Sequence, residues 1–169
     1  MNGEPLAAQG GEKTAGAAAW HVRVATAADV PAAADAVGEL LTELGGQRPG
    51  TAELEEEARA LVEDPALGVL LVAEAGGELL GVLAASHVRA LHVPGRYLVI
   101  QDLWVRPDWR SRTIGADLLA AIAEVARQQG LPRIEVGLPQ ETFAGIRATE
   151  AFYLGNGFVS LGIRMRRRL

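Results

Sequence analysis

The sequence contains no cysteine, which excludes disulfide bonds, thiolate metal sites and a cysteine nucleophile. Lys13 is the only lysine among the 169 residues, so a buried lysine that forms a Schiff base is excluded as well. No run of about 18 apolar residues is present, and we therefore expect no transmembrane helix. The first residues also lack a basic segment followed by an apolar block, so we expect no secretory signal and a cytoplasmic protein.

The overall charge and composition favour a folded domain that acts on a small molecule. The net charge is -5, which argues against a general nucleic-acid binder. Hydrophobic residues make up 49% and charged residues 22%, as in ordinary globular proteins. We expect a disordered tail over residues 1–19, which are mostly Gly, Ala and polar, and one domain over residues 20–169.

Apolar periodicity and turn residues predict a mixed α/β fold. Helices are predicted over residues 30–44, 51–64, 114–130 and 143–154, and strands over residues 20–24, 68–74, 79–88, 97–105 and 133–138, with one or two closing strands within 158–168. The turn at residues 75–78 indicates a hairpin. Consecutive antiparallel strands followed by strand–helix–strand units are typical of a mixed sheet.

The segment between the strand ending at Val105 and the helix beginning near residue 114 carries the strongest chemical signal. It reads R-P-D-W-R-S-R-T-I-G-A-D-L-L. A strand that leads through a tight loop into a helix N-terminus presents free amides and the helix dipole to an anion. Arg106, Arg110 and Arg112 lie in this loop, and guanidinium groups suit phosphate oxygens. The segment predicts a phosphate or pyrophosphate ligand; an ordinary capped helix with solvated arginines is the alternative.

The run V-R-P-D-W-R-S-R-T-I-G-A-D-L-L, followed later by A-F-Y-L-G-N-G-F, resembles the GNAT-type N-acetyltransferase superfamily. The signature of that superfamily is Gln or Arg, two residues, Gly, one residue, then Gly or Ala. Arg110 and Gly115 match its ends, whereas Thr113 replaces the first glycine. The resemblance covers about residues 21–168 and implies an α/β fold. Its central sheet is mixed but mostly antiparallel, is flanked by helices and splays open between the fourth and fifth strands.

The resemblance implies acetyl-CoA as the cofactor. The backbone amides of the loop and first helical turn would hold its pyrophosphate: Arg110, Ser111, Arg112, Thr113, Ile114, Gly115 and Ala116. The backbone of Leu103, Trp104 and Val105 would pair with the pantetheine arm like an added strand. Because a β-branched residue disfavours positive φ, we expect the loop to pass Thr113 in an ordinary conformation, with its hydroxyl as an extra phosphate contact.

By the same resemblance, Tyr153 is the acid that protonates the departing thiolate. Several members carry a glutamate base at the position of Gln101, which would here orient the acceptor or a water. Asp102 is a candidate base, although strand alternation turns it to the other face with Leu98, Ile100 and Trp104. The remaining alternatives for the base are His87, His92 or none at all. Ile146 stands where many members have an asparagine that contacts pantetheine.

The resemblance leaves three readings of function open. The first is an N-acetyltransferase that moves acetyl to the amine of a small molecule by direct attack in a ternary complex, with residues 30–63 forming the acceptor wall. The second is a protein or peptide N-acetyltransferase, and the third is a non-catalytic acyl-CoA-binding protein. The expected partner is a small-molecule amine, without nucleic acid or membrane and with a homodimer as an alternative to a monomer.

Overall fold

The helices and strands follow the predicted order. The computed structural model describes residues 19–162 and residue 167. It contains β1 (His21–Val24), α1 (Val30–Glu43), α2 (Thr51–Glu63), β2 (Gly68–Ala75), β3 (Glu78–Ala90), β4 (Val93–Val105), α3 (Ile114–Gln128), β5 (Ile134–Val136) and α4 (Ile146–Gly155). The predicted tail lies outside the described residues, apart from residue 19. Residues 158–162 form no strand, and the rest of the predicted closing strands lies outside the described residues, apart from residue 167.

The strands form one five-stranded sheet in the order β1-β2-β3-β4-β5. All neighbours are antiparallel except β4 and β5, which are parallel. This confirms the mixed, mostly antiparallel sheet. Gly76 and Gly77 form the β2–β3 turn with φ of 58° and 83°, and two consecutive positive φ values are what a two-residue hairpin turn with right-handed strand twist requires.

Helices cover both faces of the sheet. α3 packs on one face, where its buried Ile114, Leu118 and Ile122 contact side chains of β2, β3 and β4. α1 packs on the other face through Ala33 and Ala36, with α2 contributing partly buried side chains. β2 is covered on both sides, which explains why its sequence is a continuous apolar run rather than an alternating one.

A β-bulge at Gln101 corrects one prediction about β4. Ile100 and Asp102 pair with consecutive residues of β3, which leaves Gln101 without a partner. An extra residue in a strand reverses the side-chain alternation beyond it. Leu98 and Ile100 therefore pack in the α3 cluster, whereas Asp102 lies with Trp104 on the α1 side. The prediction that Asp102 shares a face with Leu98 and Ile100 is wrong, because simple alternation does not anticipate a bulge.

An ionic cluster attaches β1 to the start of α1. Arg23 donates to both carboxylate oxygens of Asp29, at 2.7 and 2.9 Å, and also to the Glu74 carboxylate. The hydrogen bonds from Arg23 lower the pKa of Asp29 to about 2. The cluster stabilises the ionised form of Asp29 in the folded state.

Within the described residues, no helix has both the length and the apolar character needed to cross a membrane.

Candidate active site

A cleft opens where β4 and β5 separate. The two strands pair only from Leu98 to Ile100 on β4, because β5 ends at Val136. Beyond that point, no strand among the described residues pairs with the β4 backbone from Gln101 to Val105 on the β5 side. The cleft has a volume of about 720 Å³, which lies within the usual range of about 300–1,000 Å³ for ligand pockets. Its walls come from the C-terminal end of α1, from β4, from the loop before α3 and from α4.

One end of the cleft is the N-terminus of α3. The amides of Gly115 and Ala116 have no hydrogen-bond acceptor among the described residues. Thr113 precedes the helix with φ of -25°, which is negative as predicted but lies outside the ordinary helical and extended regions, and the left-handed residue of the loop is Ser111, with φ of 63°. The Thr113 hydroxyl donates to Asp117 at 3.0 Å instead of pointing to a ligand. Uncapped amides at the positive end of a 15-residue helix form a site for an anion.

The three arginines of the loop have different surroundings. Arg106 is paired with Glu78 and Asp108 and is not among the residues that line the cleft. Arg112 lines the cleft, stacks 4.5 Å from the ring centroid of Trp109 and forms no ion pair within the described part of the chain. Its cation therefore remains available to a bound phosphate.

Arg110 also lines the cleft, but it is engaged with a residue of α1. Its guanidinium donates to both carboxylate oxygens of Glu43, at 2.7 and 2.8 Å, and to the carbonyl of Val105 at 2.9 Å. Arg110 thus connects the loop, the exposed edge of β4 and the end of α1.

Gly115 has a packing role in addition to its free amide. A Cβ at this position would lie 3.1 Å from the ring of Phe152 on α4, so a larger residue would require that ring to move by a few tenths of an ångström. Ile114, beside it, is fully buried in the core, and only its backbone faces the loop. Gly115 therefore allows Phe152 of α4 to pack closely on the first turn of α3.

Tyr153 lines the cleft while most of its ring is buried. The residue is 8% exposed, and its ring packs edge-on against Phe152 and Phe158, with centroids 5.2 and 5.3 Å away. Burial, together with the charge of Asp102, raises the pKa of Tyr153 to about 12. The phenol is therefore fully protonated at any physiological pH and can act as a proton donor.

Asp102 lies on the far side of β4 from α3. It is half-buried and lines a small cavity between α1, α2 and β4. Burial raises the pKa of its carboxyl group. Because the charge of Asp102 also acts on Tyr153, the two groups are electrostatically coupled across the splayed edge of the sheet.

The other predicted residues fall at different places. Gln101 is exposed at the bulge and lines the cleft. His87 is not among the cleft residues: its Nδ1 lies 3.2 Å from the Ala66 carbonyl and its Nε2 lies 2.8 Å from Gln129. His92 lies exposed in the two-residue turn between β3 and β4. The structure brings Gln101 and Tyr153 together in one cleft and does not bring either histidine there.

Two features of the site were not anticipated from the sequence. Glu43 occupies the last turn of α1, where the helix dipole disfavours an acid, and this unfavourable position was a usable signal that it has a cationic partner. Trp104 is 5% exposed, and its indole Nε1 has no hydrogen-bond partner among the described residues. Leaving such a donor unsatisfied costs about 1–3 kcal/mol. No local pattern reveals that orphaned donor.

The arrangement suits the transfer of a group carried on a long, phosphate-bearing molecule. The free amides and Arg112 match a pyrophosphate, and the unpaired edge of β4 matches an extended chain with amide groups. The residues present therefore fit CoA, and Tyr153 lines the same cleft.

Comparisons with known proteins agree with this geometry. A model of the acetyltransferase (GNAT) family matches residues 35–158. Among curated protein sequences, none matches the chain. A protein assigned as an acetyltransferase from Arthrobacter sp. FB24 is 27% identical in sequence, and its structure superposes with a TM-score of 0.73 over 94% of this chain and 100% of that one.

Two more distant structures share the fold. A possible acetyltransferase from Clostridium difficile 630 is 16% identical, with a TM-score of 0.76 over 89% of this chain and 97% of that one. The aminoglycoside N-acetyltransferase AAC(6')-Iy, solved in complex with CoA, is 13% identical, with a TM-score of 0.74 over 90% of this chain and 96% of that one.

Proposed function

Because the chain belongs to the GNAT acetyltransferase family, we propose that it is an acetyl-CoA-dependent N-acetyltransferase whose acceptor is an amine of a small molecule. The observation that carries this proposal is the convergence of three features on one cleft. These are the uncapped N-terminus of α3, the unpaired edge of β4 and the buried phenol of Tyr153. An acyl-CoA-binding protein without catalysis needs the first two features but gains nothing from a phenol at that position.

The backbone of the chain performs most of the cofactor binding in this proposal. The free amides at the start of α3, those of Gly115 and Ala116, hold the pyrophosphate, with Arg112 supplying a cation. The amides of Arg110 and Ile114, which the resemblance also assigned to the pyrophosphate, instead donate to the carbonyls of Pro107 and Arg112. The β4 backbone from Leu103 to Val105 pairs with the pantetheine arm. The side chain of Ile146 has no amide group that could contact the pantetheine. Thr149 on α4 and Asn156 at its C-terminal end line the cleft with polar side chains.

Acetyl-CoA supplies the acetyl group as a thioester, in which the C–S bond breaks as the amine nitrogen forms the new C–N bond. The nitrogen must lose a proton, and we assign its acceptor as the ionised carboxylate of Asp102. The departing sulfur must gain a proton, and we assign its donor as the hydroxyl of Tyr153. Gln101, exposed at the bulge, orients the acceptor or a water between them.

The two proton transfers support each other. The negative charge of Asp102 contributes to the raised pKa of Tyr153, so the phenol is a weak acid while Asp102 is ionised. Once Asp102 has taken the proton from the amine, that contribution disappears and the phenol becomes a stronger acid. The donor thus becomes more effective at the moment when the sulfur departs.

The likeness to small-molecule acetyltransferases supports a small acceptor, although a ribosomal-protein-alanine N-acetyltransferase from Brucella melitensis shares the fold as well. Two solved structures with this fold are aminoglycoside acetyltransferases. The wall of the cleft opposite α4 comes from α1, and α1 and α2 enclose the cavity beside Asp102. We assign these two helices as the acceptor side of the site.

Thermal unfolding with acetyl-CoA, free CoA and ATP tests the cofactor, followed by thiol release with a panel of amines. A ligand at about 100 times its dissociation constant stabilises the folded state by about 2.7 kcal/mol, a readily measured shift. We expect a shift with acetyl-CoA and CoA but not with ATP, and amine-dependent release of thiol. Stabilisation by CoA without transfer to any amine would favour the acyl-CoA-binding alternative instead.

A further inference from the structure

The cavity between α1, α2 and β4 is small and mostly apolar. Its volume is about 80 Å³, and its walls are apolar except for Glu57 and Asp102. A water-sized group occupies about 10–15 Å³ in this measure, so the cavity accommodates about five to eight non-hydrogen atoms. That is the size of a short branched or cyclic hydrocarbon group, and much smaller than an aminoglycoside. The aliphatic walls also offer nothing to a polyhydroxylated ring.

The polar groups of this cavity are acidic. Asp102 takes part in no hydrogen bond or ion pair among the described residues, and Glu57 on α2 lines the same space. A carboxylate in an apolar wall is stabilised by a cation that arrives with its own hydrocarbon, as a protonated alkylamine does. Both charges on the cavity wall therefore select the same kind of ligand.

Trp104 provides an independent observation on the same side of the sheet. It lies two residues beyond Asp102, packs with α1 and also lines the large cleft. Its buried Nε1 has no hydrogen-bond partner among the described residues, so an oxygen or nitrogen acceptor that reached it from the cleft would supply the missing hydrogen bond. Alternation places Asp102 and Trp104 about 7 Å apart along the strand, a span that a small substituted amine bridges.

We propose that the acceptor is a compact primary amine with an apolar group of about four to six carbons and one hydrogen-bond-accepting oxygen near the nitrogen. The hydrocarbon fills the α1/α2 cavity, the nitrogen lies against Asp102, and the oxygen accepts from Trp104 Nε1. This inference rests on the proposed function for its reaction, but it makes a separate statement about binding. It distinguishes this chain from the aminoglycoside acetyltransferases that share its fold.

Four probes separate the three contacts. Isoamylamine carries the apolar group and the amine, isoamyl alcohol lacks the ammonium, leucinol adds a hydroxyl beside the amine, and kanamycin represents aminoglycosides. Binding is measured by titration calorimetry with the protein saturated by free CoA, and transfer by thiol release with acetyl-CoA. We expect affinity in the order leucinol, isoamylamine, then isoamyl alcohol, with kanamycin at least about tenfold weaker than leucinol.

A pair of variants on α2 tests the cavity itself. Ala58 lines the cavity and Ala52 lies exposed on the same helix, so Ala58→Leu fills the space while Ala52→Leu makes the same chemical change outside it. Ala58→Leu should weaken leucinol binding about tenfold or more and leave the CoA dissociation constant unchanged, whereas Ala52→Leu should change neither. Equal leucinol affinities in the two folded variants would overturn the proposal.

The hydroxyl contact is tested as a ratio, because Trp104→Phe also perturbs the core. In the wild type, leucinol should bind about three- to tenfold more tightly than isoamylamine, the usual value of one hydrogen bond. The ratio should fall to about one in Trp104→Phe and be retained in Ala52→Leu. A ratio retained in Trp104→Phe, or a selective loss of CoA affinity there, would assign the indole to another ligand and refute this part.

The outcomes separate this inference from the proposed function. If leucinol binds to the CoA complex in a manner sensitive to Ala58→Leu but is never acetylated, the proposed function fails and the binding site stands. If kanamycin is acetylated efficiently and Ala58→Leu has no effect on any amine, the proposed function stands and the inference fails.

Discussion

Replacing Tyr153 with phenylalanine removes one hydroxyl group and little else. The ring contacts with Phe152 and Phe158 remain, and the hydroxyl makes no hydrogen bond to any described residue. Loss of an unbonded hydroxyl should therefore change the free energy of unfolding by less than about 1 kcal/mol. The substitution isolates the proposed chemical role of the phenol from its packing role.

The expected effect on turnover follows from the proton that is lost. General acid catalysis contributes about 10²–10⁴ to a rate, and the variant should lose kcat within that range. A pKa of about 12 also means that the wild-type rate should show no alkaline limb from this group below about pH 11. The difference between 10 and 12 corresponds to roughly 3 kcal/mol against ionisation of the phenol.

Tyr97 provides the matched control, because it is the other of two tyrosines and is similarly buried, at 7% exposure. It is not among the residues that line the cleft. Tyr97→Phe and Tyr153→Phe are compared by thiol-release kinetics, CoA titration and urea unfolding. We expect only Tyr153→Phe to lower kcat, with CoA dissociation constants within about twofold of the wild type. Equal kcat values in the two variants would refute the assignment of Tyr153 as the acid.

Three further outcomes are expected. Arg112→Ala should raise the CoA dissociation constant about tenfold in titration calorimetry, and Arg106→Ala should leave it nearly unchanged, because Arg112 lines the cleft and Arg106 does not. The rate should fall as pH decreases through the raised pKa of Asp102, and pH–rate profiles of Asp102→Asn should lack this acid limb. Asp29→Asn should lower the free energy of unfolding by about 1–2 kcal/mol at pH 7, as measured by urea unfolding. The difference between the variant and the wild type should disappear as the pH falls from about 3.8 to about 2, because the lowered pKa of Asp29 stabilises the folded state fully only above that range.

The sequence was sufficient for the elements whose signals are local. α2 begins at Thr51 and ends at Glu63, as its acidic first turn and the following Asp64-Pro65 predict. α4 begins at Ile146 rather than at residue 143, because Gly145 serves as its N-cap and the residues before it form turns. Signals for turns, caps and periodicity span only a few residues, so one sequence is enough to recognise them. At the start of α4, however, the apolar pattern from residue 143 and the glycine cap at Gly145 predict different first residues, and only the packing of the fold decides between them.

The parts of the candidate site that lie in a local sequence motif were predictable, whereas contacts between side chains from distant segments were not. The loop before α3 and the phenol of Tyr153 fall in one cleft, and both lie in motifs that the sequence displays. The α1–loop contact through Glu43 and Arg110 joins residues 67 positions apart, which no local pattern specifies. His87 was a reasonable candidate base by its chemistry, but its partners Ala66 and Gln129 come from distant segments.

The bulge at Gln101 explains how one strand can serve two ligands. Without it, Asp102 would point toward α3 with Ile100, and an amine on the α1 side would have no carboxylate. With it, the β4 edge from Leu103 to Val105 remains without a neighbouring strand among the described residues, although Arg110 donates to the Val105 carbonyl, while Asp102 and Trp104 lie on the side of α1 and α2. In the proposed function, the cofactor thus binds along the edge of β4 and the acceptor on its face. The cofactor contacts would use the β4 backbone, whereas the acceptor contacts would use side chains of the same strand. Substitutions in α1 and α2 should therefore alter the choice of acceptor without disturbing CoA binding.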